Sequence, residues 1–271
     1  MKRIFYLLVA AAFVVCSCDS LVPNHLEQEN ENGGSGSDDQ GGISSETASK
    51  LVKEIVWEDD EMILFDYDDK NRIIKISWTD INSEYSYFYE LKYLQNNVIQ
   101  LLYNGHDPEP LHYEFDSDGF LKKTSINENY YTEYFYIDGI YSSSLTKSND
   151  EFGKFTSETS AIYENGNCVI LSHHDEFIDT DGDENDSSYD SEYSEIWTYT
   201  DIENKMNVDI FSRIDPEEMY FKLKGISSHD LPATYGNYMY EYEFDDDGYV
   251  TRISLINNME GTVDICLITY C

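Results

Sequence analysis

The stretch Tyr242-Glu-Phe-Asp-Asp-Asp-Gly-Tyr-Val-Thr-Arg-Ile-Ser-Leu255 decides the fold of this chain, because it is one of three copies of the same fourteen-residue phrase. The other copies are Tyr113–Ile126 and Phe65–Trp78. Each copy reads aromatic, acidic, aromatic and Asp, followed by a turn, an apolar residue, a basic residue and Ser. Short strands that flank a turn rich in Asp and Gly are typical of a β-hairpin. The phrase therefore predicts an antiparallel sheet built from repeated hairpins.

The turn within the phrase is specified by two residues. Asp245 and Gly248 occupy its first and fourth positions, as Asp116 and Gly119 do in the second copy. An Asp carboxylate accepts hydrogen bonds from nearby backbone N–H groups, and Gly adopts the positive φ of a type I turn closed by a bulge. The first copy has Asn71 in place of Gly, and Asn tolerates this conformation. The expected register places Phe244 opposite Val250, Phe115 opposite Leu121 and Tyr67 opposite Ile73.

Weaker hairpins lie between the copies. Their turns are expected at Asn96-Asn97, Asp138-Gly139 and Asn165-Gly166. Alternation of apolar and polar residues continues through 50–271, which predicts a single all-β domain. We expect an antiparallel meander of about twelve strands, strongly curled or closed into a barrel-like sheet, because open twisted sheets of that size seldom stay flat. A short helical turn is expected at Asp215-Pro-Glu-Glu218.

The chain begins with the features of a secreted lipoprotein. Two basic residues precede an apolar run from Ile4 to Val15, which is too short to cross a membrane and suits the core of a signal peptide. The sequence Val15-Cys16-Ser17-Cys18 resembles the bacterial lipobox, in which a small residue precedes the cysteine that becomes diacylated. This resemblance implies a signal peptide over 1–17 and lipidation at Cys18. An ordinary cleaved signal peptide is the alternative.

Residues 18–49 are low in complexity, acidic and rich in Gly and Ser. Such a composition predicts a disordered tether, with a root-mean-square span of roughly 30 Å. Several acyl chains on Cys18 would satisfy the two-signal condition for stable membrane attachment. Acidic residues soon after the cysteine resemble the surface-export signals of Bacteroidetes lipoproteins. The sequence thus predicts an outer-membrane lipoprotein, and leaves open whether it faces the cell surface or the periplasm.

The charge of the chain is strongly acidic. It has 17 Lys and Arg against 54 Asp and Glu, a formal net charge of −37. An acidic surface of this kind repels phosphate backbones, which argues against nucleic acid as a partner. The charge identifies no ligand by itself.

Three cysteines lie in the predicted domain over 50–271. Cys168, Cys266 and Cys271 are odd in number and lack metal-site spacing. An extended strand separates the last two by roughly 16 Å, beyond the reach of a disulfide. We expect buried free thiols, and a pair between Cys266 and Cys271 would require the strand to bend.

An acidic loop is expected at 179–192. Asp179, Asp181 and Asp183 alternate in the way that places oxygen ligands around calcium, and Asn185, Asp186 and Asp190 complete the candidate set. The loop departs from the EF-hand pattern, because its twelfth position holds Asp190 rather than Glu. The alternative is a solvated acidic loop without metal.

The run His173-His174-Asp175-Glu176 suggests a metal site or a catalytic site. Adjacent side chains in a strand point to opposite faces, so the two imidazoles are not expected to share an ion. We expect these residues at the end of a strand or in a loop. The sequence carries no nucleophile elbow and no Gly-rich phosphate loop, and it gives no indication of an enzyme.

The aromatic content allows a binding function. The chain has 24 tyrosines and three tryptophans, Trp57, Trp78 and Trp197. Flat aromatic faces stack on the apolar faces of sugars, while flanking carboxylates accept hydrogen bonds from hydroxyls. The alternative is that tyrosine serves as a good residue for a half-exposed sheet face.

The phrase Tyr-Glu-Phe-Asp-x-Asp-Gly, the sequence Ser228-His-Asp-Leu-Pro232 and the lipobox together resemble a group of Bacteroidetes lipoproteins of unknown function. That resemblance implies a porin-like β fold and brings no activity or site residue with it. A looser resemblance is to the YD repeats of bacterial surface shells. A barrel that spans the membrane is disfavoured, because a lipid anchor with a hydrophilic tether suits a soluble body and tyrosine suits a lipid-facing band poorly.

These features predict a non-enzymatic, lipid-anchored cell-envelope protein. Its expected role is to bind a glycan or a protein partner with a sheet face or with the loops 104–110 and 179–192. A structural or scaffolding lipoprotein is the alternative, and a hydrolase assembled from distant residues is a third. No cofactor is expected other than calcium at Asp179, Asp181 and Asp183.

Overall fold

The computed structural model describes most of the predicted domain. The described residues are 50–58, 61–82, 85–105, 109–149, 153–179, 188–212, 214 and 220–271. The signal peptide, the tether with Cys18, the helical turn at 215–218, and Asp181 and Asp183 lie outside these ranges. Within them we find no helix with the length and apolar character needed to cross a membrane.

The fold is an all-β antiparallel meander that closes into a barrel, as the sequence predicts. The described residues form sixteen strands, so the expected count of about twelve is wrong. The hairpins between the copies of the phrase carry weaker turn signals, so the sequence pattern does not separate all of the strands there. The strands are β1 (Val52–Trp57), β2 (Glu61–Tyr67), β3 (Ile73–Asp80), β4 (Ser86–Leu94), β5 (Val98–Tyr103), β6 (Leu111–Phe115), β7 (Leu121–Asn127), β8 (Tyr130–Ile137), β9 (Ile140–Asn149), β10 (Gly153–Glu164), β11 (Asn167–Asp179), β12 (Tyr189–Glu203), β13 (Asp230–Tyr235), β14 (Tyr238–Phe244), β15 (Val250–Asn257) and β16 (Val263–Tyr270).

The barrel closes between its first and last strands. β1 pairs with β2 on one side and with β16 on the other, so that Trp57 lies opposite Cys266. Reciprocal backbone hydrogen bonds between Leu51 and Cys271 extend this seam beyond the strands. Closure removes the free edges that an open sheet would expose to other chains.

The predicted turn chemistry is confirmed at each copy of the phrase. Oδ1 of Asp245 accepts hydrogen bonds from the backbone N–H of Asp247 at 3.0 Å and of Tyr249 at 2.9 Å. Gly248 has a φ of 78°, and Asn71 takes the equivalent φ of 61° in the first copy. A bulge follows, and the observed pairs are Phe244 with Val250, Phe115 with Leu121 and Tyr67 with Ile73.

The three weaker hairpins also turn where they are expected. Asn96 and Asn97 have φ values of 64° and 57°. Asp138-Gly139 and Asn165-Gly166 likewise have positive φ at both positions. In an antiparallel meander alternate turns lie at the same end, so these turns and those of the phrase form one end of the barrel, which we call the turn end. The connections at the other end of the strands, such as those between β3 and β4 and between β5 and β6, form the opposite end, the loop end.

Alternate residues of each strand point into the barrel and form its core. Ile55 pairs with Ile63, and Ile63 pairs with Trp78, and none of the three is more than 5% exposed. The basic residues of the strands occupy the other parity, as at Lys75, which pairs with Glu90. The apolar core therefore lines the interior, and the strand cations lie on the outer surface.

The chain between β12 and β13 is described at 204–212, 214 and 220–229, and these residues, which we call the crossing segment, lie across the interior at the turn end. Its side chains Met206, Val208 and Phe221 are at most 1% exposed. The crossing segment is tied to the turns around it: Nζ of Lys224 donates to the carbonyl of Asp118, Nζ of Lys205 to that of Asp247, and the N–H of Tyr141 to the carbonyl of Gly225. The sequence did not predict this closure of the barrel.

All three cysteines of the domain are free thiols. Cys168 and Cys266 are buried, as expected, whereas Cys271 is exposed. Burial raises the pKa of Cys168 to about 11 and that of Cys266 to about 12. Cys266 and Cys271 remain unpaired because β16 stays extended along β1.

Candidate ligand-binding cavity

A cavity of about 270 Å³ lies inside the barrel, between the crossing segment and the strands that close the ring. Its volume is close to the lower end of the ~300–1,000 Å³ that ligand pockets in proteins usually occupy. Most of its wall is apolar or aromatic, with one carboxylate and three side chains that carry a hydroxyl, two of them tyrosines. The lining residues are Ile55, Trp57, Glu61, Ile63, Trp197, Ile210, Phe211, Ser212, Tyr220, Tyr240, Ile253 and Leu255.

One side of the cavity is a set of nearly parallel aromatic rings. The ring of Trp197 stacks on Tyr235 with centroids 4.2 Å apart and lies 6.3 Å from Tyr240 at an interplanar angle of 16°. Phe211 of the crossing segment meets Tyr240 edge to face at 5.7 Å. These contacts hold the rings in fixed orientations, which lowers the entropy lost when a ligand stacks on them.

A second group of aromatic rings lies on β3, β4 and β5. The rings of Trp78 and Tyr87 are parallel within 3° and 5.1 Å apart, and Tyr103 lies 5.9 Å from Tyr87. Tyr85, just before β4, is 60% exposed, and its hydroxyl lies 3.4 Å from that of Tyr103. The ring of Trp78 is also 6.5 Å from Tyr220, which lines the cavity. The predicted alternation of apolar and polar residues is therefore confirmed along this stretch, and its aromatic side chains lie on the inward face.

The inner wall carries carboxylates as well as hydroxyl groups. Glu61 lines the cavity and lies directly opposite Asp80 on β3. In the described strands no Lys or Arg shares the inward-facing rows; the strand cations lie on the outer face, at Lys53, Lys75, Lys92, Lys122, Lys123, Lys147, Lys154 and Arg252. Aromatic faces beside carboxylate oxygens suit a ligand with apolar faces and hydroxyl groups.

The His173-His174 pair lies in the middle of β11, so its expected place at a strand end or in a loop is wrong. The prediction that the two imidazoles diverge is confirmed. His174 points outward, where its Nε2 lies 2.9 Å from Oδ1 of Asp190. His173 shares the inward row with Thr159, whose Oγ1 lies 3.2 Å from its Nδ1, and with Tyr193, whose ring stacks on it at 4.5 Å.

His173 lies beside a second buried ionisable group. Its Nε2 is 3.9 Å from Oε1 of Glu195. Nε2 of His173 and Oε2 of Glu195 are buried and have no hydrogen-bond partner in the described part of the chain. Burial lowers the pKa of His173, although Glu195 and Asp175 act in the opposite direction. The imidazole is thus held mainly neutral at neutral pH.

The calcium prediction stays a prediction. Asp179 is the last residue of β11, and Asp181 and Asp183 lie outside the described residues. Among the residues that are described, no group of three His, Cys, Asp or Glu side chains is arranged to hold a metal ion.

A larger groove of about 770 Å³ crosses β9 to β12. It contains a row of four serines, one from each strand, which shares a face with the exposed Glu158, His174 and Glu192. Small hydroxyl-bearing and acidic side chains make up most of its lining, and its aromatic members include Phe135 and the stacked pair His173 and Tyr193, but it contains no tryptophan. We therefore assign the candidate site to the smaller aromatic cavity.

The sequence pattern does not predict which residues come together at the cavity. All three tryptophans face the interior, although Trp197 on β12 is far along the chain from Trp57 on β1 and Trp78 on β3. Their inward parity is readable from strand alternation, but the closure that brings β1 and β12 to one cavity is not. The loop 104–110, predicted as a binding loop, is described only at its two ends.

The comparisons with known proteins add a fold likeness. No protein-family model matches the chain, and no curated protein matches it. Among solved structures, the chain is similar to a porin-like protein from Bacteroides vulgatus, with 12% sequence identity, 82% of this chain and 99% of that chain covered, and a TM-score of 0.44. A likeness of this extent leaves the ligand and the activity open.

Proposed function

We propose that this protein is a non-enzymatic, lipid-anchored protein of the cell envelope that binds a glycan inside its barrel. The observation that carries the proposal is the cavity walled by Trp57, Trp197 and Tyr240 with the carboxylate of Glu61 beside them. Aromatic faces supply apolar contact area, and a few convergent polar groups fix orientation, which is the usual composition of a small-molecule site.

The charge pattern of the inner wall favours a neutral, hydroxylated ligand. Carboxylates at Glu61 and Asp80 accept hydrogen bonds from hydroxyl groups. An anionic ligand would be repelled by these carboxylates. In the described strands no Lys or Arg lies on the inner face to offset that repulsion. Rigid stacking between Trp197 and Tyr235 keeps the site preformed.

The envelope location rests on the amino terminus of the chain. The lipobox-like sequence at Val15-Cys16-Ser17-Cys18 supports lipidation of Cys18, and the acidic tether over 18–49 would hold the barrel away from the lipid. Metabolic labelling with a fatty acid tests this part of the proposal. Replacement of Cys18 by Ala is expected to abolish labelling and release the protein from the membrane fraction, whereas Cys16→Ala is expected to change neither.

The binding proposal is tested with a panel of immobilised neutral and acidic polysaccharides and the purified mature protein. We expect retention on at least one neutral polysaccharide. Fragments of that polysaccharide are then titrated against the intrinsic fluorescence, because Trp57, Trp78 and Trp197 all face the interior. Binding is expected to shift their emission.

Two variants decide whether binding occurs in the cavity. Trp57→Ala removes a ring from the cavity wall, and Phe88→Ala removes a ring from the outer face of β4, where Nζ of Lys75 lies 4.1 Å from its centroid. The first is expected to abolish retention, and the second to leave it unchanged, with circular dichroism as the folding control. A protein that no polysaccharide retains, or whose retention survives Trp57→Ala, would contradict the proposal.

A further inference from the structure

We infer that the cavity is one end of a longer binding track, and that the ligand is an oligosaccharide that occupies at least two subsites. This inference rests on the proposed function and adds the size of the ligand to it. The track consists of Trp57, Glu61, Asp80, Tyr85 and Tyr87. Its inner subsite is the cavity, and its outer subsite is formed by Tyr85 and Tyr87 with Tyr103.

A single row of paired residues connects the two subsites. Trp57 on β1 lies opposite Glu61 on β2, which lies opposite Asp80 on β3. The backbone N–H of Asp80 donates to the carbonyl of Tyr85 at 3.1 Å, so that Tyr85 continues the row. Aromatic residues thus stand at both ends of the row, and two carboxylates stand between them.

The aromatic surface is also continuous beneath this row. Tyr85 lies 5.8 Å from Tyr87, and Tyr87 stacks on Trp78 at 5.1 Å. Trp78 in turn contacts Tyr220, which lines the cavity. A ligand that leaves the cavity along this side therefore meets stacked rings, with the carboxylates of Glu61 and Asp80 in the row beside them.

The length of the track exceeds one sugar ring. From Trp57 to Tyr85 the row crosses about three strand spacings of ~4.8 Å each, or about 14 Å. A monosaccharide enclosed by the cavity would not contact the exposed ring of Tyr85. A chain of linked sugars would stack at both ends and place its middle hydroxyls near Glu61 and Asp80.

The experiment measures how affinity depends on ligand length. The polysaccharide retained by the mature protein is digested, and its disaccharide, tetrasaccharide and hexasaccharide fragments are titrated against tryptophan fluorescence. We expect affinity to rise by about tenfold or more from the disaccharide to the longer fragments and then to level off. The double variant Tyr85→Ala/Tyr103→Ala is expected to remove this gain and leave the affinity for the disaccharide unchanged.

The outcomes separate the inference from the function on which it rests. Phe88→Ala on the outer face of the same strand is the matched control and should keep the full gain with length. Equal affinity for all fragments, or a gain that survives loss of Tyr85 and Tyr103, overturns the track while glycan binding stands. Absence of any binding overturns both proposals.

Discussion

The hydroxyl of Tyr270 donates a hydrogen bond of 2.8 Å to the carbonyl oxygen of Val250, the first residue of β15. Val250 is the residue that faces Phe244 across the bulge of the third phrase. A bulge disrupts the regular ladder, and the tyrosine of the next strand supplies a donor to a carbonyl beside it. The same contact follows the other two copies, where Tyr93 donates to Ile73 at 2.8 Å and Tyr136 donates to Leu121 at 2.9 Å.

Removal of one such hydroxyl should cost stability without a change of fold. Tyr270→Phe keeps the ring and leaves the Val250 carbonyl without this donor, so we expect a loss of about 1–2 kcal/mol in the free energy of unfolding. Urea denaturation measures it. Tyr131→Phe is the control, because that ring lies under Nζ of Lys123 at 4.5 Å on the outer face, and its hydroxyl should contribute little. Equal effects from the two variants would show that the recurrent bond is not stabilising.

The fourth turn position of the phrase should accept Asn but resist Ala. Gly248 has a φ of 78°, which costs an Ala about 1–2 kcal/mol, whereas Asn visits this region more readily. Asn71 already takes a φ of 61° at the same position of the first copy. We expect Gly248→Ala to lower the free energy of unfolding by about 1–2 kcal/mol. Gly248→Asn should lower the free energy of unfolding clearly less in the same denaturation experiment. A larger loss for Asn than for Ala would contradict the interpretation that this position requires a positive φ.

Local chemistry explains how much of the fold the sequence predicts. Asp245 and Gly248 act through neighbours within a few residues, so the turn, the bulge and the register were all predictable. Closure of sixteen strands depends on pairing between β1 and β16, which no local pattern specifies. The cavity depends on that closure, because Trp57 and Trp197 line the same cavity only after the ring forms. Strand parity likewise predicted that His173 and His174 diverge, but the approach of Glu195 to His173 requires the pairing of β11 with β12.

The crossing segment should be an integral part of the core. Phe221 is fully buried and packs edge to face on Tyr113 with centroids 5.3 Å apart. Phe221→Ala is expected to lower the free energy of unfolding by about 3–5 kcal/mol, the usual loss for a buried aromatic. Phe221→Leu should lose less, and it keeps the measurement possible if the Ala variant does not fold.

The matched control for that prediction lies on the same segment. Lys224 is exposed and donates to the carbonyl of Asp118 at 2.9 Å. Lys224→Ala is expected to change the free energy of unfolding by less than about 1 kcal/mol. If Phe221→Ala were as mild as Lys224→Ala, the crossing segment would have to be a peripheral loop rather than a part of the core.

The adjacent residues His173 and His174 should contribute to the pH dependence of folding stability with opposite signs. Burial lowers the pKa of His173, so the folded state resists its protonation. Below the ordinary His value of about 6.5 the unfolded chain binds that proton more readily, and stability falls as the pH drops towards the folded pKa. The hydrogen bond to Asp190 raises the pKa of His174. Its contribution is present below about 6.5 and is lost as the pH rises through the folded pKa.

Unfolding midpoints in urea between about pH 5 and about pH 7.5 check this pair. His173→Asn should reduce the loss of stability on acidification, because it removes a group that the folded state keeps neutral. His174→Asn should increase that loss, because it removes a group whose charged form the folded state favours. The carboxylates that titrate lower in the range are common to all three proteins, so the differences between them isolate the histidines. A shift of the same sign in both variants would contradict the arrangement in which His173 is buried on the inner face and His174 binds Asp190 on the outer face.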